Sequence, residues 1–272
     1  MKIVHLSDLH VGRSDNAEAT EIIAKGLTQR YAADKPLVII TGDIVDDGQR
    51  WQFELARESL SPLFDSGFTV LSCPGNHDMG WNGVNAKESN LSLFLRHFAH
   101  KDSKYYDDFP TVHRANDLVC IGLNSMADEV GFLDRLSADG ELGKRQIKQL
   151  DYELRKLDVE RKSNPNLRVV VYLHHHPFYY NSFMALKDHE DLKDVLRARK
   201  ATTPTHSVAL LLFGHKHENR ELPDKGDKYG IGGVFAAHKS TDMKKGDKGL
   251  PVYKVVEIDV ETRKGVIVEL LA

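Results

Sequence analysis

Cysteine is scarce in this chain: 272 residues contain two, Cys73 and Cys120. Both stand inside apolar runs. That excludes a disulfide-stapled scaffold and a cysteine-rich zinc module, and two buried free thiols are expected. A strong charge of one sign is also lacking. The formal charge is −3, so no global field draws the chain to nucleic acid or to an acidic membrane. The short basic clusters Arg197-Ala198-Arg199-Lys200 and Lys244-Lys245 read as solvated surface. No apolar run approaches the roughly 20 residues of a membrane-spanning helix. The sequence enters its first apolar run at once, in Lys2-Ile3-Val4-His5-Leu6, leaving no room for a signal peptide. A soluble, cytoplasmic protein is the expectation. Internal repeats, low-complexity segments and credible linkers are missing too, so one domain over residues 1–272 is expected.

What the chain does have is a recurring conjunction. Five short motifs rich in histidine, aspartate and asparagine each follow an apolar run. They are Asp8-Leu9-His10, Gly42-Asp43, Gly75-Asn76-His77-Asp78, His174-His175-His176-Pro177 and Gly214-His215-Lys216-His217. The first three follow strand-like runs at Ile3 to Leu6, Leu37 to Thr41 and Phe68 to Ser72. Helical periodicity fills the intervals, over about 17–33 and 49–64. Strand and helix alternating in this way predict parallel strands, whose carboxyl ends are where ligands gather. Further on, helices are expected at Asn90 to Phe98, Gly140 to Arg161 and Asp188 to Lys200. Strands are expected at Tyr105 to Arg114, Leu118 to Asn124, Val169 to Leu173 and Val208 to Phe213, with a terminal hairpin at Tyr253 to Val260 and Val266 to Leu270.

Each motif offers a specific chemistry. In an extended stretch, residues i and i+2 point the same way, so Asp8 and His10 can reach one ion, and so can His215 and His217. Asp43 has two oxygens and can bridge two cations. Asp46 reads as an outer carboxylate. Asn76 supplies a neutral hard donor. His77 can pass a proton to a leaving oxygen, and Asp78 is placed to orient it. Three successive histidines at a strand end are not explained by packing, and alternation sets His174 and His176 on one side and His175 on the other. The remaining histidines, among them His5, His97, His113, His189, His206 and His238, lack such context and read as ordinary core or surface residues.

Together these motifs resemble the calcineurin-like metallophosphoesterase superfamily. The resemblance implies an α/β fold, a four-layer α/β/β/α sandwich with two central mixed sheets, and two metal ions, manganese, iron or zinc. It implies that Asp8, His10, Asp43 and His217 hold one ion. Asp43, Asn76, His175 and His215 hold the other, with His175 chosen because it stands two residues before Pro177 and His174 as the alternative. His77 takes the catalytic position. The runs at 6–10, 42–48 and 173–177 are most similar to bacterial class III cyclic nucleotide phosphodiesterases and their glycerophosphodiesterase relatives. Asp47, Asp78 and Met79 depart from the serine/threonine protein phosphatases.

Two dications, offset by Asp8, Asp43 and a bridging hydroxide, retain one positive charge. That suits a singly charged phosphodiester better than a monoester, so the expected partner is a small phosphodiester attacked by that hydroxide. A small-metabolite phosphomonoesterase is the alternative. A metal-free scaffold of the same fold is disfavoured, since every expected ligand is present. Trp81, Phe178, Tyr179, Tyr180 and Phe183 could form a wall that stacks on a base.

Overall fold

Every residue of β2 (Leu37–Thr41) is buried, as a parallel strand covered on both faces should be. It lies between β1 (Lys2–Leu6) and β3 (Val70–Cys73), parallel to both. The crossovers run through α1 (Asn16–Arg30), α2 (Arg50–Ser59) and α3 (Ser61–Asp65). The computed structural model describes residues 1–80, 87–127, 139–178, 186–202 and 207–272. The single helix expected over 49–64 is broken into α2 and α3 near Pro62. Proline has no N–H to offer the preceding turn, and it suits only the start of a helix.

After β3 come the one-turn helix α4 (Asn76–Met79) and α5 (Glu88–Phe98). The second sheet has the order β4 (Thr111–Ala115), β5 (Leu118–Gly122), β6 (Arg168–Tyr172), β7 (Val208–Phe213), β9 (Ile231–Ala236), β8 (Arg220–Glu221). Its four inner strands are parallel and its two outer ones antiparallel. The helices α6 (Gly143–Glu160), α7 (His189–Thr202) and α8 (Pro223–Tyr229) belong to this half. The first sheet is completed antiparallel. Its β11 (Pro251–Asp259) pairs along one edge with β1 and with β10 (Met243–Lys245), and along the other with β12 (Lys264–Leu271).

Pleat decides which way each side chain faces. In the second sheet Leu118, Cys120, Val170, Tyr172, Leu210 and Leu212 point inward and join the core of the first sheet. Their neighbours Val119, Ile121, Val169, Val171, Leu211 and Phe213 point outward, against Leu150 and Leu154 of α6 and Leu192 and Leu196 of α7. Each such side chain contributes about 1.5–3 kcal/mol by leaving water. The result is the expected four layers, helix, sheet, sheet, helix. Cys73 and Cys120 are buried and free. No helix among the described residues is long and apolar enough to cross a membrane.

Candidate metal centre

The five motifs end up on one rim, at the carboxyl ends of β1, β2, β3, β6 and β7. The chain leaves these strands abruptly. Asp8, His10, Asp43, His215 and His217 all adopt left-handed backbone, with φ of 54°, 47°, 51°, 73° and 53°. Non-glycine residues there cost about 1–3 kcal/mol each and persist where the surroundings force them. The forcing is visible: Asp8 N–H donates to Gly42 O at 3.1 Å, and His10 N–H to Asp43 O at 2.9 Å. Gly42 itself has φ +82°, and a Cβ on it would stand 2.6 Å from His174 Nδ1. A Cβ at Gly214 would overlap Ser7 Oγ and stand 2.7 Å from Asp8 Oδ2.

The donor atoms form two groups that meet at one oxygen. His217 Nε2 is 3.3 Å from Asp8 Oδ1 and 3.3 Å from His10 Nε2. His10 Nε2 is in turn 3.9 Å from Asp43 Oδ2. On the other side, His174 Nε2 is 3.1 Å from Asn76 Oδ1, 3.2 Å from His215 Nδ1 and 3.3 Å from the same Asp43 Oδ2. The other oxygen, Asp43 Oδ1, accepts the His77 backbone N–H at 2.8 Å.

These residues fit a cation. His174 donates Nδ1–H to Thr41 O at 2.7 Å, and His10 donates Nδ1–H to Asp46 Oδ1 at 3.0 Å. Those acceptors fix the tautomers, so both Nε2 atoms present lone pairs inward. The Nε2 atoms of His10 and His217 face each other, and His215 Nε2 is buried without a hydrogen-bond partner. Acceptors gathered in this way call for positive charge between them. With protons alone as cations the charge falls on His174: burial pushes it down, but Asp43 and Asp8 raise it to about 9. Burial likewise pushes the Asp43 carboxyl up, yet His174, His77 and His10 outweigh it and hold it well below the usual range.

One expectation changes. The carboxylate of Asp78 does not orient His77. It is buried and accepts Val45 N–H and Gly75 N–H, each at 2.9 Å. His77 instead donates Nδ1–H to the Asp46 carbonyl at 2.8 Å, with its ring edge-on to His10 at 4.5 Å between centroids. Asp46 thus supports His10 with its carboxylate and His77 with its backbone. In the histidine run, both rings named as candidates reach the centre. His174 continues the inward parity of Val170 and Tyr172 and so reaches Asp43. His175 continues the outward parity, and its Nδ1 lies 2.7 Å from Ser125 Oγ. A ring nitrogen of His175 still comes within 4.8 Å of donors on His174 and His215. His176 turns away, packs on Phe213, and is pushed to about 4 by burial.

Of the aromatic wall, Phe178 is buried against Phe213 and Tyr229 and cannot stack on a ligand. Trp81, Tyr179, Tyr180 and Phe183 lie outside the described residues, as does His206. The supporting residues Thr41, Ser125 and Asp78 were not assigned these roles from sequence. Thr41 adjoins a motif and Asp78 belongs to one, whereas Ser125 stands apart from all five and had no signal.

A probable glycerophosphodiester phosphodiesterase of Arcobacter nitrofigilis is 26% identical over 228 residues, 80% of this chain and 72% of that protein. Exonuclease subunit 1 of Enterobacteria phage T4 is 31% identical over 120 residues, 41% of this chain and 34% of its own length. Among solved structures, a purple acid phosphatase from yellow lupin seeds superposes with a TM-score of 0.61 at 11% identity. That match covers 99% of this chain and 53% of the lupin chain, and it speaks to the fold alone. The family model for calcineurin-like phosphoesterases matches residues 1–219, which include all five motifs. The chain belongs to the calcineurin-like phosphoesterase family, metal-dependent hydrolases of phosphoesters.

Proposed function

We propose that the chain hydrolyses a small phosphodiester, a cyclic nucleotide or a glycerophosphodiester, at a dinuclear metal centre. One observation carries this reading: Asp43 Oδ2 is the common neighbour of both donor groups. Asp8, His10, Asp43 and His217 would hold one ion, and Asp43, Asn76, His174 and His215 the other. His174 takes the place first expected of His175. Imidazole and carboxylate donors accept manganese, iron or zinc. Such ions, when bound, supply Lewis-acid charge and make water a competent nucleophile at neutral pH.

The chain's own residues do the rest. Asp46 and Thr41 lock the His10 and His174 rings so that their lone pairs converge. His77 has Nδ1 committed to a carbonyl, so Nε2 is the atom that can deliver a proton to the departing oxygen. Its side chain is one-fifth exposed, whereas the sides of His10 and His174 are buried, so it faces the open side of the centre. The donor set carries only two carboxylates, a charge suited to a singly charged diester. The likeness to a probable glycerophosphodiester phosphodiesterase supports the same substrate class.

The test compares turnover of cyclic AMP, a glycerophosphodiester, an aryl phosphodiester and its monoester, with manganese, iron and zinc supplied in turn. The highest kcat/KM is expected on a diester. A strong preference for the monoester would replace this reading with a phosphomonoesterase. Inertness toward all four in every metal would leave only a scaffold.

A further inference from the structure

The loop that follows β9 lies beyond the family-matched residues, yet it is bonded to the metal centre's backbone. Ser7 N–H donates to Ser240 Oγ at 3.0 Å, and Ser240 N–H donates back to Ser7 O at 3.0 Å. Thr241 Oγ–H donates to Leu9 O at 3.1 Å. Ser7 and Leu9 are the residues on either side of Asp8. At its other end the loop holds the segment after His217: His238 N–H donates to Asn219 Oδ1 at 3.0 Å. Ser240 and Thr241 are themselves buried, at 1% and 6% exposure, so these bonds are made out of water.

The bonds fall on one half of the centre. Asp8, His10 and His217 form one donor group. Asp8 and His10 sit in left-handed backbone immediately beside the residues that Ser240 and Thr241 grip. The other half is held by different means: His174 by Thr41 O, and the Asn76 turn by the Asp78 carboxylate on Gly75 N–H. Strained backbone needs outside bonds to persist. Here the loop that joins β9 of the second sheet to β10 of the first supplies them to the end of β1.

We propose that Ser240 and Thr241 are positioning residues for the half-site formed by Asp8, His10 and His217. They keep Asp8 and His10 in the conformation that aims both at one cation. The inference rests on the dinuclear reading above. Removing the two hydroxyls should weaken one cation site and spare the other. Partners that orient a ligand cost about 10–100-fold in metal affinity when lost.

The experiment uses chelator-stripped full-length protein titrated with manganese alone, read by calorimetry and by electron paramagnetic resonance. Wild type should bind two ions and give the spectrum of a coupled pair; if it binds fewer than two, the dinuclear reading fails, and this inference with it. Where wild type binds two, the variants decide. Ser240→Ala with Thr241→Val is expected to lower one affinity at least tenfold, to leave the other within threefold, and to turn the coupled spectrum into that of an isolated ion at substoichiometric metal. Rescue by Thr241→Ser and by Ser240→Thr is expected, since each keeps a hydroxyl. Unchanged affinities would overturn the proposal, and so would an equal fall in both. Should the double variant not fold, Thr241→Val alone is put to the same comparison with the same two outcomes.

Discussion

Replacing His174 and His175 with alanine, one at a time, separates the two readings of the histidine run. His174 has no exposed surface. Its Nδ1–H is spent on Thr41 O, and its Nε2 faces Asn76, His215 and Asp43 at 3.1, 3.2 and 3.3 Å. Groups that merely orient a ligand cost about 10–100-fold in metal affinity, so loss of the ligand itself should cost at least about 100-fold. At about 1.4 kcal/mol per decade, that is about 2.8 kcal/mol. The metal-free fold suffers as well, because Asp43 loses its main positive neighbour, and a buried charge stripped of its partner costs about 3–5 kcal/mol. His175→Ala removes a different set of contacts: the bond to Ser125 Oγ and a ring packed on His215 at 4.5 Å. Its expected cost is about 1–3 kcal/mol of stability and about tenfold in manganese affinity. Calorimetric titration of stripped protein with manganese gives the affinities, and Tm in the same buffer gives the stabilities. Equal metal loss in both variants, or a greater loss in His175→Ala, would refute the assignment of His174 from strand parity.

Asp43→Asn and His77→Ala should both slow hydrolysis, but metal content should fall only in the first. For His77→Ala the rate on an alkyl diester should drop by about 100- to 10,000-fold with stoichiometry intact. Gly214→Ala forces a methyl group onto Ser7 Oγ and Asp8 Oδ2, and should cost about 1–3 kcal/mol in denaturant melts together with metal affinity. Acid sensitivity should trace in part to His5. Burial, against the opposing charge of Asp8, holds its pKa down at about 3 from an ordinary 6.5. The unfolded chain therefore takes up a proton near pH 6.5 that the folded chain refuses until about pH 3. Stability is whole above pH 6.5 and falls by about 1.4 kcal/mol per unit below it. In stripped protein, urea midpoints of His5→Gln should lose about 2 kcal/mol less than wild type between pH 6.5 and pH 5. Parallel losses in the two proteins would remove His5 from the account of acid stability.

Periodicity carried the first half of the fold well. The runs at Ile3 to Leu6 and Leu37 to Thr41 are β1 and β2 almost to the residue, because buried parallel strands are uniformly apolar. The strand at Val208–Phe213 and the terminal hairpin were equally legible. Legibility failed where local signals conflict with tertiary ones. β9 contains Gly232 and Gly233, which weaken any strand pattern, yet the pair is needed: a Cβ on Gly232 would stand 2.6 Å from Ala209 O of the neighbouring strand. The strand expected from Tyr105 begins only at Thr111, after turns that cross the Phe109–Pro110 cis peptide. In the centre, the residue types at each strand end mark the candidate donors that the fold gathers on one rim, whereas counting back from Pro177 favours His175. Parity carried forward from Val170 and Tyr172 favours His174, and rings of both residues reach the donor cluster. The basic cluster read as surface is divided: Arg197 pairs with Asp194 at 2.7 Å in the open, while Arg199 is buried beside Asp158. Support from Ser240 and Thr241 had no signature at all, since two hydroxyls more than 230 residues away from their partners leave no local pattern.

Anomalous diffraction from crystals grown with manganese bears most directly on the shared aspartate. Two peaks about 3.5–4 Å apart are expected, one beside Asp8, His10 and His217, the other beside Asn76, His174 and His215, with Asp43 Oδ2 between them. A single peak, or two peaks that do not share Asp43, would contradict it.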